Sequence, residues 1–272
     1  MSEIYNGILA RYGEIFLKGD IVRRKFEGVL LSNLQRGLKD ADISAKVRLL
    51  RGRLFVEISD IDSASNILAR TFGIVSYSPV IVCEKKYNEI KKTSIALAEK
   101  FKKGSFAVEA RRSDKSFALN SQQIKEKIGN VIRKMGFSVD LTNPKNRLCI
   151  EVHEKCYVYS TTMKGPGGMP LGTAGCVAGF LRDRKDFLTD WMLMKRGAVV
   201  VILGKYDRKL LRCLQAWSVG REVRAARNIG ESMKKCIAIA THRKIKTDMV
   251  VLNPLVGFSD KEIKEKISSI LR

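Results

Sequence analysis

The sequence predicts a mixed α/β and α+β protein of three units, and three observations carry that prediction. Residues 1–82 alternate in a β-α-β-β-α-β order, and residues 87–164 form a second short α/β unit rich in Lys and Arg. Beyond a Gly- and Pro-rich break, strands and helices alternate to the end of the chain. The first order is the ferredoxin-like plan; the last is that of a doubly wound parallel sheet.

Each element has its own signal. Residues 4–11 predict a strand. Ile21, Phe26, Val29, Leu30, Leu34 and Leu38 recur near helical spacing and predict a helix over 21–38. Strands at 46–50 and 53–58 flank an Arg51-Gly52 turn, a second helix fits 63–72, and a strand fits 74–82. In the middle unit a helix over 88–101 stops at Gly104, a strand follows at 106–110, and 111–115 reads as a basic loop. Ile124, Ile128, Val131 and Ile132 put one apolar face on a helix over 121–135, and strands fit 147–152 and 157–162. The last unit predicts strands at 176–181, 198–203, 222–225, 236–240 and 249–252. Its helices are expected at 183–195, 207–217 and 260–271, the last capped by Ser259. A length of 272 residues suits two or three domains, with boundaries expected at 1–79, 80–165 and 166–272.

Charge narrows the partner. The chain carries 51 Lys and Arg against 28 Asp and Glu, a net +23. Residues 1–79 hold 12 basic and 9 acidic side chains (+3), residues 80–165 hold 18 and 9 (+9), and residues 166–272 hold 21 and 10 (+11). Such an excess suits a polyanion, and without a basic amphipathic helix or lipidation signal a nucleic acid is favoured over a membrane surface. No apolar run approaches the ~20 residues of a membrane helix. Met1-Ser2-Glu3-Ile4-Tyr5 does not open a signal peptide, so a cytoplasmic location is expected. Six scattered cysteines and two histidines, His153 and His242, show no zinc-ligand spacing, so no metal is expected and buried thiols are.

Four motifs in collinear order go further. Arg11-Tyr12-Gly13-Glu14-Ile15-Phe16-Leu17-Lys18-Gly19 resembles the opening signature of the tRNA 4-thiouridine synthetases, or tRNA sulfurtransferases. Thr71-Phe72-Gly73-Ile74-Val75-Ser76-Tyr77-Ser78-Pro79 is similar to the motif that closes their first domain, and Val108-Glu109-Ala110-Arg111-Arg112-Ser113-Asp114-Lys115-Ser116-Phe117 to the core of their THUMP domain. Lys164-Gly165-Pro166-Gly167-Gly168-Met169-Pro170-Leu171-Gly172-Thr173 resembles the segment leading into their catalytic domain, and Asn253-Pro254-Leu255-Val256-Gly257 a late motif. The resemblance implies a ferredoxin-like domain, a THUMP domain and a PP-loop-like adenylation domain. It also implies binding of the tRNA acceptor end, ATP-dependent activation of a uridine and displacement of AMP by a persulfide sulfur, with service to thiamine thiazole synthesis in some members.

The PP-loop departs from that pattern. The family carries Ser-Gly-Gly-x-Asp-Ser after the first strand of this domain, where small residues let backbone N–H groups reach the ATP phosphates. Here the strand leads into Arg182-Asp183-Arg184-Lys185-Asp186-Phe187-Leu188, one residue shorter and without either glycine or serine. The resemblance therefore implies a degenerate nucleotide loop at Arg182, Asp183, Arg184, Lys185 and Asp186, whose cations could instead meet an RNA backbone. No cofactor is expected; ATP with Mg would enter only if the loop still binds it.

The expected function is a tRNA-binding THUMP protein with a disabled adenylation site. RNA contacts are expected at Arg111, Arg112, Lys115, Lys125 and Lys164, since guanidinium forks and ammonium groups pair with phosphate. The alternatives are an active sulfurtransferase making 4-thiouridine, or a subunit presenting tRNA to a separate catalytic or sulfur-donor protein. A homodimer is the default assembly. The family's catalytic cysteine and rhodanese domain have no expected counterpart before Arg272, and no catalytic residue is assigned; Cys213 beside Lys209 and Arg212 is the one thiol whose surroundings could lower its pKa. Gly165–Gly172 reads as a flexible linker, Trp191 and Trp217 as core, and the two histidines receive no role.

Overall fold

The computed structural model describes residues 4–226 and 228–271. Strand β1 (Gly7–Tyr12) is followed by α1 (Asp20–Asp40), β2 (Lys46–Leu50), β3 (Arg53–Glu57), α2 (Ile61–Leu68) and β4 (Ile74–Cys83). Their antiparallel order β2-β3-β1-β4 is ferredoxin-like. Period-2 alternation explains both sides of β1. Ile8, Ala10 and Tyr12 meet Leu30, Leu34 and Leu68 from the helices, while Leu9 turns the other way to Phe55, Val80, Tyr157 and Tyr159.

The chain continues through α3 (Tyr87–Ala98), β5 (Ser105–Arg112), α4 (Ser121–Lys134), β6 (Ser138–Val139), β7 (Asn146–Val152), β8 (Cys156–Tyr159) and β9 (Met163–Lys164). Strand β4 is longer than its first role requires. Residues 74–80 pair with β1, and Ile81–Cys83 pair with β8, so one sheet of nine strands runs through both units. Asn120 and Gln123 close a capping box on α4, whose Ile124, Ile128 and Ile132 lie on the core side. Arg111 and Arg112 belong to β5, opposite Glu151 and Val152 on β7, rather than to the basic loop expected at 111–115.

The last unit holds β10 (Cys176–Leu181), α5 (Arg184–Lys195), β11 (Val199–Tyr206), α6 (Arg208–Gln215), β12 (Arg224–Ala225), α7 (Ile229–Lys234), β13 (Ala238–Ala240), β14 (Val251–Leu252) and α8 (Asp260–Ile270). Its five strands are all parallel, in the order β12-β11-β10-β13-β14. Helices expected to start at Asp183 and Asp207 start one residue later, because both aspartates are N-caps. Ser259 caps α8 as expected, with Glu262 completing a capping box.

Residues 165–172 correct the expectation of a loose linker. Gly165 and Gly167 donate to Val75 and Ile74, Gly73 donates to Gly167, and Met169 and Gly172 donate to Lys195 and Gly197. Gly168 adopts φ +75°, and a Cβ there would collide with the Lys195 carbonyl, so the close approach requires glycine. The segment is a strap joining the β4 edge to the end of α5. Beside it Phe72 packs on Trp191 and Trp217, with ring centroids 5.5 and 5.7 Å away. Asn33 on α1 donates to Leu171 and accepts from Arg221, completing the seam.

Candidate functional site

In a parallel sheet of this order, the chain leaves opposite faces after β10 and β13, and the crevice at their carboxyl ends is where such folds bind ligands. The loop after β10 carries Arg182, Asp183, Arg184, Lys185 and Asp186; the loop after β13 carries His242 and Arg243. Both loops meet. Arg243 donates twice to Asp186, at 2.7 and 3.0 Å, and again to Asp183. The Asp183 carboxylate accepts the Lys185 and Asp186 N–H groups, each at 2.9 Å, and Asp186 accepts that of Arg182. Burial raises the pKa of Asp183, but those N–H groups, Arg243 and His242 outweigh it and hold the carboxyl below its ordinary value.

The helix N-terminus therefore already holds a negative charge, the protein's own, in the position an incoming phosphate would need. His242 Nε2 lies 3.3 Å from Asp186 without hydrogen-bond geometry. Asp183, Asp186 and His242 bring ligand atoms within 4.8 Å of one another, the spacing a metal ion would use. The Arg243 guanidinium donates to both carboxylates, so a cation would have to displace it. One turn along α5, Asp190 is fully buried against Gly179 with neither oxygen partnered; burial, then the charge of Asp186, pushes its carboxyl well above the usual range, which makes it a neutral acid.

The basic residues expected to contact RNA are divided among β5, the loop after it, α4 and β9. Arg111 and Lys115 are exposed, and Lys125 is half-buried on α4. Arg112 is turned inward instead, donating to the Phe117 and Leu119 carbonyls and so shaping the loop after β5. Lys164 is exposed on β9, opposite Ser76, outside the 111–125 cluster. At the crevice Arg182 lies over the Phe180 ring and Lys185 pairs with Asp260, while Arg184 is exposed and makes no ion pair among the described residues.

The two N-terminal units share a buried polar junction. Glu151 accepts from Arg11 at 3.0 Å, Arg53 at 3.0 Å and the Tyr159 hydroxyl at 2.9 Å, and Arg11 also donates to Ser78. Burial raises the Glu151 pKa, yet His153 and the two guanidiniums outweigh that and hold it far below the carboxylate range. Next to this junction a cleft of about 630 Å3 is lined by Arg48, Arg51 and Phe55 on one side and Ser113, Lys155 and Tyr157 on the other.

Residues 7–78 match the ThiI ferredoxin-like domain family, and residues 84–161 match the THUMP domain family. The first two units are thus similar, over 7–78 and 84–161, to these two domain families. Curated relatives extend the similarity beyond those two domains. A probable tRNA sulfurtransferase of Methanocaldococcus jannaschii is 36% identical over 208 residues, which is 72% of this chain and 55% of that protein. One from Thermococcus kodakarensis is 33% identical over 227 residues, 79% of this chain and 60% of that protein. The chain spans little more than half the length of the curated relatives it matches. Two solved structures align over almost all of it. PH1313 from Pyrococcus horikoshii superposes with a TM-score of 0.85 at 28% identity, over 97% of this chain and 99% of that one. A 4-thiouridine synthetase–RNA complex with bound ATP superposes with a TM-score of 0.82 at 24% identity, over 98% of this chain and 85% of that one, a likeness of fold.

Set beside the THUMP domain, the residues that sequence reasoning missed share one cause. Arg243 and His242 acquire partners only because β13 lies next to β10, a neighbour relation between strands separated by more than 50 positions. Glu151 carries no local sequence signal, because its partners Arg11 and Arg53 come from the ferredoxin-like domain. The histidines left without a role both stand beside a buried acid, His153 at 3.5 Å from Glu151 and His242 at 3.3 Å from Asp186. Cys213 packs against the apolar core of the third unit. Among the described residues no helix is long and apolar enough to cross a membrane.

Proposed function

We propose that this chain is a tRNA-binding protein of the tRNA sulfurtransferase type that holds the acceptor end of tRNA without adenylating it. The observation that carries the reading is the Asp183–Arg243–Asp186 clamp at the switch-point crevice. A triphosphate there would meet the Asp183 carboxylate where it needs free N–H groups, and would have to break a guanidinium from two acids. The residues present do not fit ATP.

Support for the tRNA comes from three directions: the THUMP domain, the excess of +9 over residues 80–165, and the RNA held by the structurally similar synthetase. Exposed Arg111, Lys115 and Lys164 and half-buried Lys125 supply phosphate contacts, with exposed Arg184 a fifth at the crevice. Recognition of this kind reads shape and backbone, so affinity falls with salt; five such contacts give a log–log slope of about −4. A cytoplasmic location is part of the same proposal.

Two measurements on the purified chain test the reading: tRNA binding across a salt series, and pyrophosphate release from ATP with and without bulk tRNA. Salt-dependent binding with a flat pyrophosphate signal is expected, against a working tRNA sulfurtransferase as positive control. Release stimulated by tRNA would assign an active sulfurtransferase instead.

A further inference from the structure

The third unit holds a pair of thiols that the tRNA reading does not use. Cys176 opens β10 and Cys236 lies two residues before β13, the neighbouring parallel strand. Their sulfurs stand 3.3 Å apart. The backbone holds them there: Ile237 donates its N–H to the Cys176 carbonyl at 2.9 Å, and the Cys236 N–H is bonded to Met233. Half-buried Cys176 lines a cavity of about 1030 Å3 between β11, β12 and α7, whereas Cys236 is buried and absent from that lining.

We infer that Cys176 and Cys236 are a reversible dithiol site, forming an internal disulfide on exchange with a low-molecular-mass disulfide. The sulfurs need approach by only about 1.2 Å to reach a bond length of about 2.05 Å. The exchange balances in two steps. The Cys176 thiolate attacks one sulfur of the small disulfide, forming a mixed disulfide and expelling a small thiolate, which takes up the proton Cys176 gave up. Cys236 then loses its proton and attacks the Cys176 sulfur, expelling the second small thiol. Two protein thiols are oxidised and one small disulfide is reduced to two thiols. Burial and the neighbouring Cys176 push the Cys236 thiol up to about 12, which slows the second step at neutral pH without changing its equilibrium partners. Once formed, the bond staples the two strands whose opposite ends carry the Asp183 and Arg243 loops.

Cys83 and Cys156, opposite each other on β4 and β8, are an internal comparison, because Cys156 is fully buried in the strand ladder. The test equilibrates the full chain with mixtures of reduced and oxidised glutathione, alkylates the remaining thiols and maps the peptides by mass spectrometry. The expected product is a monomer lighter by about 2 Da with Cys176 linked to Cys236, restored by dithiothreitol. The C236S variant is expected to stop at a glutathione adduct on Cys176. Six free thiols throughout, a wild-type chain that stops at the adduct, or a link found only between Cys83 and Cys156 would overturn the inference.

Discussion

Replacing Arg243 with Met would leave Asp183 and Asp186 facing each other with their shared cation gone. Asp186 is almost wholly buried and Arg243 about one-third exposed, so the expected loss is about 2–3 kcal/mol, below that of a fully buried pair. Urea unfolding of R243M checks it. Glu151 gives a pH test. Its folded pKa lies below the ordinary 4.5, so its contribution is complete above the unfolded value and drains away as pH falls below it. Wild type should lose stability between about pH 5 and pH 2 relative to E151Q, which is itself less stable at pH 7. Asp190 has the opposite sign. Held neutral in the fold, it binds a proton that the unfolded chain releases above its ordinary 3.8, so stability falls as pH rises. D190N should therefore unfold later than wild type at pH 7, with the gain shrinking toward pH 4; a gain independent of pH would contradict the assignment.

Among the elements, the strap over residues 165–172 departs furthest from its sequence reading. Glycine and proline there looked like flexibility, but Gly168 exists to pass a carbonyl, and Gly168→Ala should cost about 2–4 kcal/mol in thermal or urea unfolding. Amphipathic elements were legible because the signal is local. Ile124, Ile128 and Ile132 fix the inner face of α4, and the N-caps Asp183, Asp207 and Ser259 mark helix starts within a residue. Short elements such as α7 and β6 escaped because they carry too few residues to show a period. The candidate site was half legible. Its first loop was visible as lost glycines and serines, whereas its second loop waited on the order of strands. On β5, Arg112 is spent on two carbonyls, so R111E with K115E is the cleaner test of an RNA surface. That pair should weaken tRNA binding and flatten the salt slope by about two contacts, leaving the unfolding midpoint unchanged.

At the scale of the whole molecule, one sheet of nine strands makes the ferredoxin-like and THUMP domains a continuous surface, and the strap with the Phe72–Trp191–Trp217 cluster seats the parallel-sheet domain against it. A protein built this way can hold its basic side chains on one continuous sheet whether or not its third domain turns over a nucleotide. The direct test of a self-filled crevice is ATP binding itself, by titration calorimetry with Mg2+ on the wild-type chain and R243M beside an active tRNA sulfurtransferase. Heat of binding is predicted for the control alone, because Asp183 still caps α5 when Arg243 is gone. Saturable ATP binding by the wild-type chain would mean that the loop opens, and the account of a protein that holds tRNA without adenylating it would be wrong.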